Sequence, residues 1–93
     1  MKTRLTKREV DEVVGALLSE HLDGCATKRG ATLCGCITKL ARPTSPLMRD
    51  VAGWHHAAQV RRAVLRTLED AASDCSPRAA AVVRARRSRS RGK

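Results

Sequence analysis

The sequence predicts a small, mainly α-helical protein in which two main helices flank a short β-knuckle and a basic tail follows. Apolar residues recur at helical spacing over about residues 7–22 and 46–72, and this period is lost over about residues 31–40. The chain has 93 residues and a formal net charge of +10, and residues 77–93 carry seven basic side chains and no acidic one. These observations favour a small helical domain over residues 1–76 and an Arg-rich tail over residues 77–93.

The first helix is predicted from its cap and its period. Thr6 and Glu9 stand at the positions of a capping box, in which the threonine caps the first turn and the glutamate reaches back to the threonine amide. Apolar side chains follow at helical spacing from Val10 to Leu18, and Gly24 is a suitable residue just past the end. We therefore expect a helix over about residues 7–22.

The segment between the two main helices is predicted to be extended. Residues 31–40 include β-branched side chains, and Cys34 and Cys36 stand two positions apart. Because side chains alternate along an extended chain, this spacing would place both thiols on one face. We expect a short β-knuckle or hairpin here, followed by a loop over residues 41–46.

The second main helix is predicted to begin with Ser45 as its N-cap and Pro46 in its first turn. Its apolar stripe is formed by Leu47, Val51, Trp54, Ala58, Leu65 and Leu68. Ser76 and Pro77 could begin a short third helix that ends near Val83. Residues 84–93 are low in complexity and self-repelling, so we expect them to be disordered by themselves.

Four side chains could converge on a metal ion. Trp54 is the sole aromatic residue, and small domains with so thin a core often need a metal, a disulfide or oligomerisation for stability. Thiolates and imidazoles suit a closed tetrahedral Zn²⁺ site. We expect zinc to be held by His21, Cys34, Cys36 and His55, with Cys25 and His56 as alternates.

The predicted helix phase favours His55 over His56. On a helical wheel His55 lies at the rim of the apolar stripe, whereas His56 points to solvent. A set with Cys25 in place of His21 has suitable spacing as well. Buried thiols without metal, or a disulfide, are the alternative interpretations of the cysteines, and Cys75 is interpreted as an ordinary helix-end thiol.

The first nine residues are charged throughout and lack the apolar segment of a secretory signal, which predicts a cytoplasmic location. In such a reducing compartment, cysteines are more often metal ligands or plain thiols than disulfides. No stretch approaches the roughly 18 apolar residues of a membrane span, so no membrane partner is expected.

Part of the chain resembles small zinc-binding proteins of actinobacteria and their phages. The residues that carry the resemblance are His21, the pair Cys34 and Cys36, Trp54, and the run of residues 55–60, within about residues 10–65. The sequence departs from that pattern at the glycine between the cysteines and at Trp54, which directly precedes the two histidines. The resemblance implies a zinc-stabilised small domain and leaves open which histidine binds the metal.

The basic residues predict contact with DNA or RNA through phosphates, because guanidinium groups bind phosphate in a bidentate manner and stay charged. The tail contains no aromatic residue that could stack on bases, so we expect little sequence readout. The candidate residues are Arg62, Arg66, Arg78, Arg84, Arg86, Arg87, Arg89, Arg91 and Lys93.

These features together predict a non-catalytic nucleic-acid-binding accessory or regulatory protein. A phosphate-binding loop, a His-Glu metalloprotease helix and a nucleophile motif are all missing from the sequence, so no enzymatic activity is expected. The alternative is a protein–protein interaction module, for example a phage factor that docks on host machinery, with the tail on an acidic or ribonucleoprotein surface. The apolar face of the second helix could also support a homo-oligomer.

Overall fold

The computed structural model describes residues 4–91, with side chains described as far as Arg87, and this part is helical with no strand. A short 3₁₀ turn, Asp23–Cys25, follows the first helix. Residues 4–91 contain five α-helices: α1 (Lys7–Leu22), α2 (Gly30–Leu40), α3 (Pro46–Ala52), α4 (Ala57–Cys75) and α5 (Pro77–Arg91). The prediction of a mainly α-helical protein is confirmed, and the predicted β-knuckle is wrong.

Helix α1 forms as its local sequence predicts. The Glu9 amide donates to the Thr6 hydroxyl over 3.2 Å, and the Thr6 amide donates to the Glu9 carboxylate over 2.9 Å, which completes the capping box. The apolar stripe of α1 is buried, at Val10, Val14, Leu17 and Leu18. Local capping and burial of one face therefore agree on the same helix.

The segment expected to be a β-knuckle is helix α2. Its first residue, Gly30, has a φ of +60°, a left-handed conformation that favours glycine. Ile37 is buried, and Leu33 and Ala41 stand one helical turn to either side of it and pack in the same core. This short helical period outweighs the strand preference of the β-branched residues, because packing overrides propensity.

Helix geometry also reverses the inference drawn from the two central cysteines. At about 100° per residue, Cys34 and Cys36 lie about 200° apart around α2, on nearly opposite sides of the helix. Each therefore meets a different neighbour: Cys36 bonds to Cys25 in the 3₁₀ turn, and Cys34 bonds to Cys75 at the end of α4. The Cα–Cα distance is 5.9 Å between Cys25 and Cys36 and 5.7 Å between Cys34 and Cys75.

The predicted second helix is interrupted by a turn between Ala52 and Ala57, so it is two helices, α3 and α4. His56 occupies the left-handed region with a φ of +57° and redirects the chain into α4. The turn changes the helical phase, since Ala58 is exposed whereas Val60 is fully buried. Trp54 lies in this turn and is 43% exposed, so its predicted place in the apolar stripe is wrong.

Helix α5 continues well beyond its predicted end near Val83, and the prediction of disorder after that residue is wrong as far as Arg91. Ala79, Ala80 and Val83 are buried against the rest of the molecule. Beyond them, the Glu69 carboxylate on α4 forms ion pairs with Arg84 Nε at 3.0 Å and with Arg87 Nη2 at 3.1 Å. The apolar face and this shared carboxylate hold the basic helix on α4.

The core draws on all five helices and is aliphatic. Its most deeply buried side chains are Leu47, Val51, Val60, Val64, Leu65, Leu68 and Val83. Aliphatic side chains bury less area than aromatic rings do, so the two disulfides supply the additional constraint that a thin core requires. Among the described residues, none of the helices combines the length and apolar character needed to cross a membrane.

Candidate nucleic-acid interface

The four cysteines predicted as thiols or metal ligands are all bonded to one another. Zinc binds thiolates, so the sulfur atoms of Cys34 and Cys36 could act as its ligands only in the reduced chain. Cys75, interpreted from the sequence as an ordinary thiol, is the partner of Cys34. Disulfides persist mainly in oxidising compartments, so this pairing does not favour the predicted cytoplasmic location.

The histidines lie in two different places. His21, at the end of α1, has its Nε2 atom 2.7 Å from Asp50 Oδ2 on α3. Together with Glu20, these side chains form the one group of potential metal-ligating residues within the described part of the chain. His55 is exposed in the turn between α3 and α4, and His56 is the N-cap residue of α4. The predicted zinc ligands are thus not brought together as one group in the disulfide form.

Zinc binding through the predicted residues should therefore depend on reduction. Cys34 and Cys36 lie on nearly opposite sides of α2, so the site also requires α2 to unwind; if it does, the reduced chain retains about one zinc ion after reconstitution and gel filtration, and the oxidised chain none, because only free thiolates bind the metal. Elemental analysis of both forms measures this. Equal zinc in the two forms, or none in either, would contradict the cysteine-based site.

A groove of about 310 Å³ lies among α3, α4 and α5. Its wall on the α3 side is apolar, and three guanidinium groups reach it from α4 and α5. The lining residues are Met48, Val51, Ala52, Ala57, Ala58, Arg61, Arg62 and Arg87. We call this cavity the arginine groove.

Two kinds of hydrogen-bond donor in the arginine groove have no partner among the described residues. The Nε atom of Arg61 is buried and makes no hydrogen bond. The backbone amides of Ala57 and Ala58 begin α4, whose N-cap residue His56 supplies no side-chain acceptor. Unsatisfied amides and the helix dipole both favour an anion at this end of a helix.

A second, broader groove of about 640 Å³ follows the other side of α4. Its position depends on Gln59, whose side chain donates to the Leu5 carbonyl and accepts from the Leu5 amide, both over 2.8 Å. These bonds hold the start of the chain against α4. The charged residues that line the groove are Arg4, Lys7, Asp11, Arg62, Arg66 and Asp70.

Arg62 lines both grooves, so their cations form a single surface across α4. We call this surface the basic face; it comprises Arg4, Lys7, Arg61, Arg62, Arg66 and Arg87. Arg62 and Arg66 were predicted as phosphate contacts, and the structure places both here. Arg4 and Lys7 were missed, because only the long-range contact between Leu5 and Gln59 brings them to α4.

The remaining predicted residues, apart from Lys93, belong to α5. Arg78 and Arg84 are exposed, Arg86 and Arg87 are half-buried, and Arg84 and Arg87 share Glu69. Arg89 and Arg91 belong to the helix but lie beyond the last described side chain, and Lys93 lies outside the described residues. Comparison with protein-family models, curated proteins and solved structures finds no match to this chain.

Proposed function

We propose that this protein binds nucleic acid without catalysis, through phosphate contacts made by the basic face and extended by the arginines of α5. The observation that carries the proposal is the position of Arg62, which joins the cations of two grooves into one surface. A nucleic-acid backbone presents closely spaced negative charges, and their neutralisation releases condensed counterions. The six cations of the basic face outnumber Asp11 and Asp70, which line the second groove with them, so the surface is positive and suited to such a polyanion.

The chemistry of the face supports recognition of the backbone more than of the bases. Guanidinium forks match the geometry of phosphate oxygens, whereas base readout needs side chains that enter a duplex groove or stack on rings. The exposed apolar residues that line the same groove, Ala52 and Ala58, can pack against sugars. We therefore expect salt-sensitive binding with little preference for sequence.

Neutralising two exposed arginines of the basic face should weaken this binding and lower its salt dependence. We expect the combined change Arg62→Gln and Arg66→Gln to reduce the slope of log affinity against log salt by about two units on duplex DNA, since each lost phosphate contact removes about 0.9. Fluorescence-anisotropy titrations of labelled DNA and RNA over a salt series provide the measurement.

A matched control is available in Arg29→Gln combined with Arg42→Gln. These two arginines are exposed, they line neither groove, and their replacement lowers the net charge by the same amount. We expect a clearly smaller effect from this pair. Equal effects of the two pairs would show that net charge alone drives binding, and salt-independent binding by the parent protein would overturn the proposal.

A further inference from the structure

The arginine groove concentrates donors for one anionic group, beyond what contact with a repeating backbone requires. Arg61, Arg62 and Arg87 line it from two helices, and Ala57 and Ala58, the first two residues of α4, line it as well. We propose that this groove is a binding site for a terminal phosphate, the phosphomonoester at the end of a nucleic-acid strand or on a free mononucleotide. The inference deepens the proposed function and rests on it for the nucleotide part of the ligand.

Arg61 gives the first reason. It is half-buried, and its Nε atom is shielded from solvent without a hydrogen-bond partner among the described residues. A buried donor that lacks an acceptor is costly, and the cost is greater when the group is charged. If the Arg61 side chain turns so that this atom meets the groove, a phosphate oxygen bound there would supply that acceptor. An arginine that served only as an exposed contact to the nucleic-acid backbone would keep its Nε atom in water and would not require an acceptor from the ligand.

The start of α4 gives the second reason. This helix has 19 residues, and its N-cap residue, His56, makes no side-chain hydrogen bond to the first turn. Ala57 and Ala58 line the groove, and their amides have no hydrogen-bond acceptor in the described part of the chain, at the positive end of the helix dipole. They are therefore available to donate hydrogen bonds to the anion that the arginines attract.

The charge and the volume of the arginine groove favour a terminal phosphomonoester over a phosphodiester within the nucleic-acid backbone. Arg61 and Arg62 form no ion pair with a described residue, and Arg87 is shared with Glu69, so about two positive charges are available. A phosphomonoester is close to a dianion at neutral pH, whereas a backbone diester carries one charge. The groove, at about 310 Å³, has room for a phosphate and the adjoining sugar, which can pack on the exposed side chains of Ala52 and Ala58.

The test compares two short single strands of identical sequence, one with a 5′-phosphate and one with a 5′-hydroxyl. We expect the full-length protein to bind the phosphorylated strand about 10- to 100-fold more tightly, the range of one or two charge-assisted hydrogen bonds. Arg61→Gln should abolish this preference, and, because Arg61 also belongs to the basic face, it should weaken binding of the hydroxyl strand only to the extent that Arg66→Gln does. Arg66 lies outside the arginine groove, so Arg66→Gln should weaken binding of both strands equally.

Two further arms separate this inference from the proposed function. Inorganic phosphate and a mononucleotide should each compete with the phosphorylated strand and reduce the preference for it. Direct titration calorimetry should show that the mononucleotide binds more tightly than phosphate alone. If neither strand binds but the mononucleotide does so in an Arg61-dependent manner, the phosphate site stands and the nucleic-acid function fails. If both strands bind with equal affinity and Arg61→Gln weakens both, the nucleic-acid function stands and the terminal-phosphate site is overturned.

Circular dichroism of each variant provides the folding control. Should Arg61→Gln fail to fold, Arg61→Lys retains the positive charge and removes the buried Nε donor. We expect this second variant to lose most of the preference for the phosphorylated strand, because the bidentate geometry is gone. A full preference in Arg61→Lys would overturn the role assigned to the Nε atom and with it the proposed site.

Discussion

Replacing Cys34 and Cys75 together by alanine should lower the free energy of unfolding by about 4 kcal/mol, on the chain-entropy estimate for a loop of this length. The bond joins residues 41 positions apart and ties α2 to the end of α4. Small domains are stable by only about 5–15 kcal/mol, so this loss would leave the protein close to its unfolding limit. Urea unfolding followed by circular dichroism measures the difference.

The second disulfide provides an internal comparison. Cys25 and Cys36 are only 11 positions apart, so their removal releases a shorter loop and should cost about 3 kcal/mol. Reduction of the parent protein should cost at least as much as the larger of the two losses. A parent protein that reacts fully with a thiol reagent before reduction, or a Cys34 and Cys75 variant as stable as the parent, would contradict the pairing.

What could be predicted from the sequence was mainly local. The capping box of Thr6 and Glu9 lies within four residues of chain and correctly predicts where α1 begins. Ser45 likewise caps α3, accepting from the Met48 amide over 3.1 Å as its position suggested. Such signals need no knowledge of the rest of the molecule, which is why they are reliable.

The errors arose where a short pattern fits two structures. Apolar residues of α3 and α4 fit one helical wheel until His56 changes the phase, and a wheel cannot show a turn that lies between two helices. The spacing of Cys34 and Cys36 suits an extended chain, yet their bonding partners depend on where Cys25 and Cys75 come to lie. Pairing over such distances is a property of the tertiary fold.

Part of the candidate site could likewise be predicted from the sequence, and part could not. Arg62 and Arg66 stand one helical turn apart, so their common surface could be predicted from the sequence alone. The arginine groove could not, because it requires the turn before α4, the position of α3 and the docking of α5. Arg87 reaches this groove only because α5 packs against α4, where Glu69 holds it.

Docking of α5 can be tested at two adjacent residues. We expect Val83→Asp to lower the free energy of unfolding by about 3 kcal/mol or more, because Val83 is fully buried and a carboxylate there would lose its hydration without gaining a partner. Val82 is 37% exposed, so Val82→Asp places the same charge in water on the same helix. Its cost should stay within about 0.5 kcal/mol.

Comparison of these two variants decides whether residues 77–93 act as a tail or as part of the domain. If α5 is packed as described, Val83→Asp should also weaken the preference for a terminal phosphate, since Arg87 leaves the arginine groove when α5 detaches. Val82→Asp should retain that preference. Chemical unfolding and strand-binding titrations of both variants give the two readouts. Equal stability of the variants would instead show that α5 is independent of the core, and the division after residue 76 predicted from the sequence would then hold.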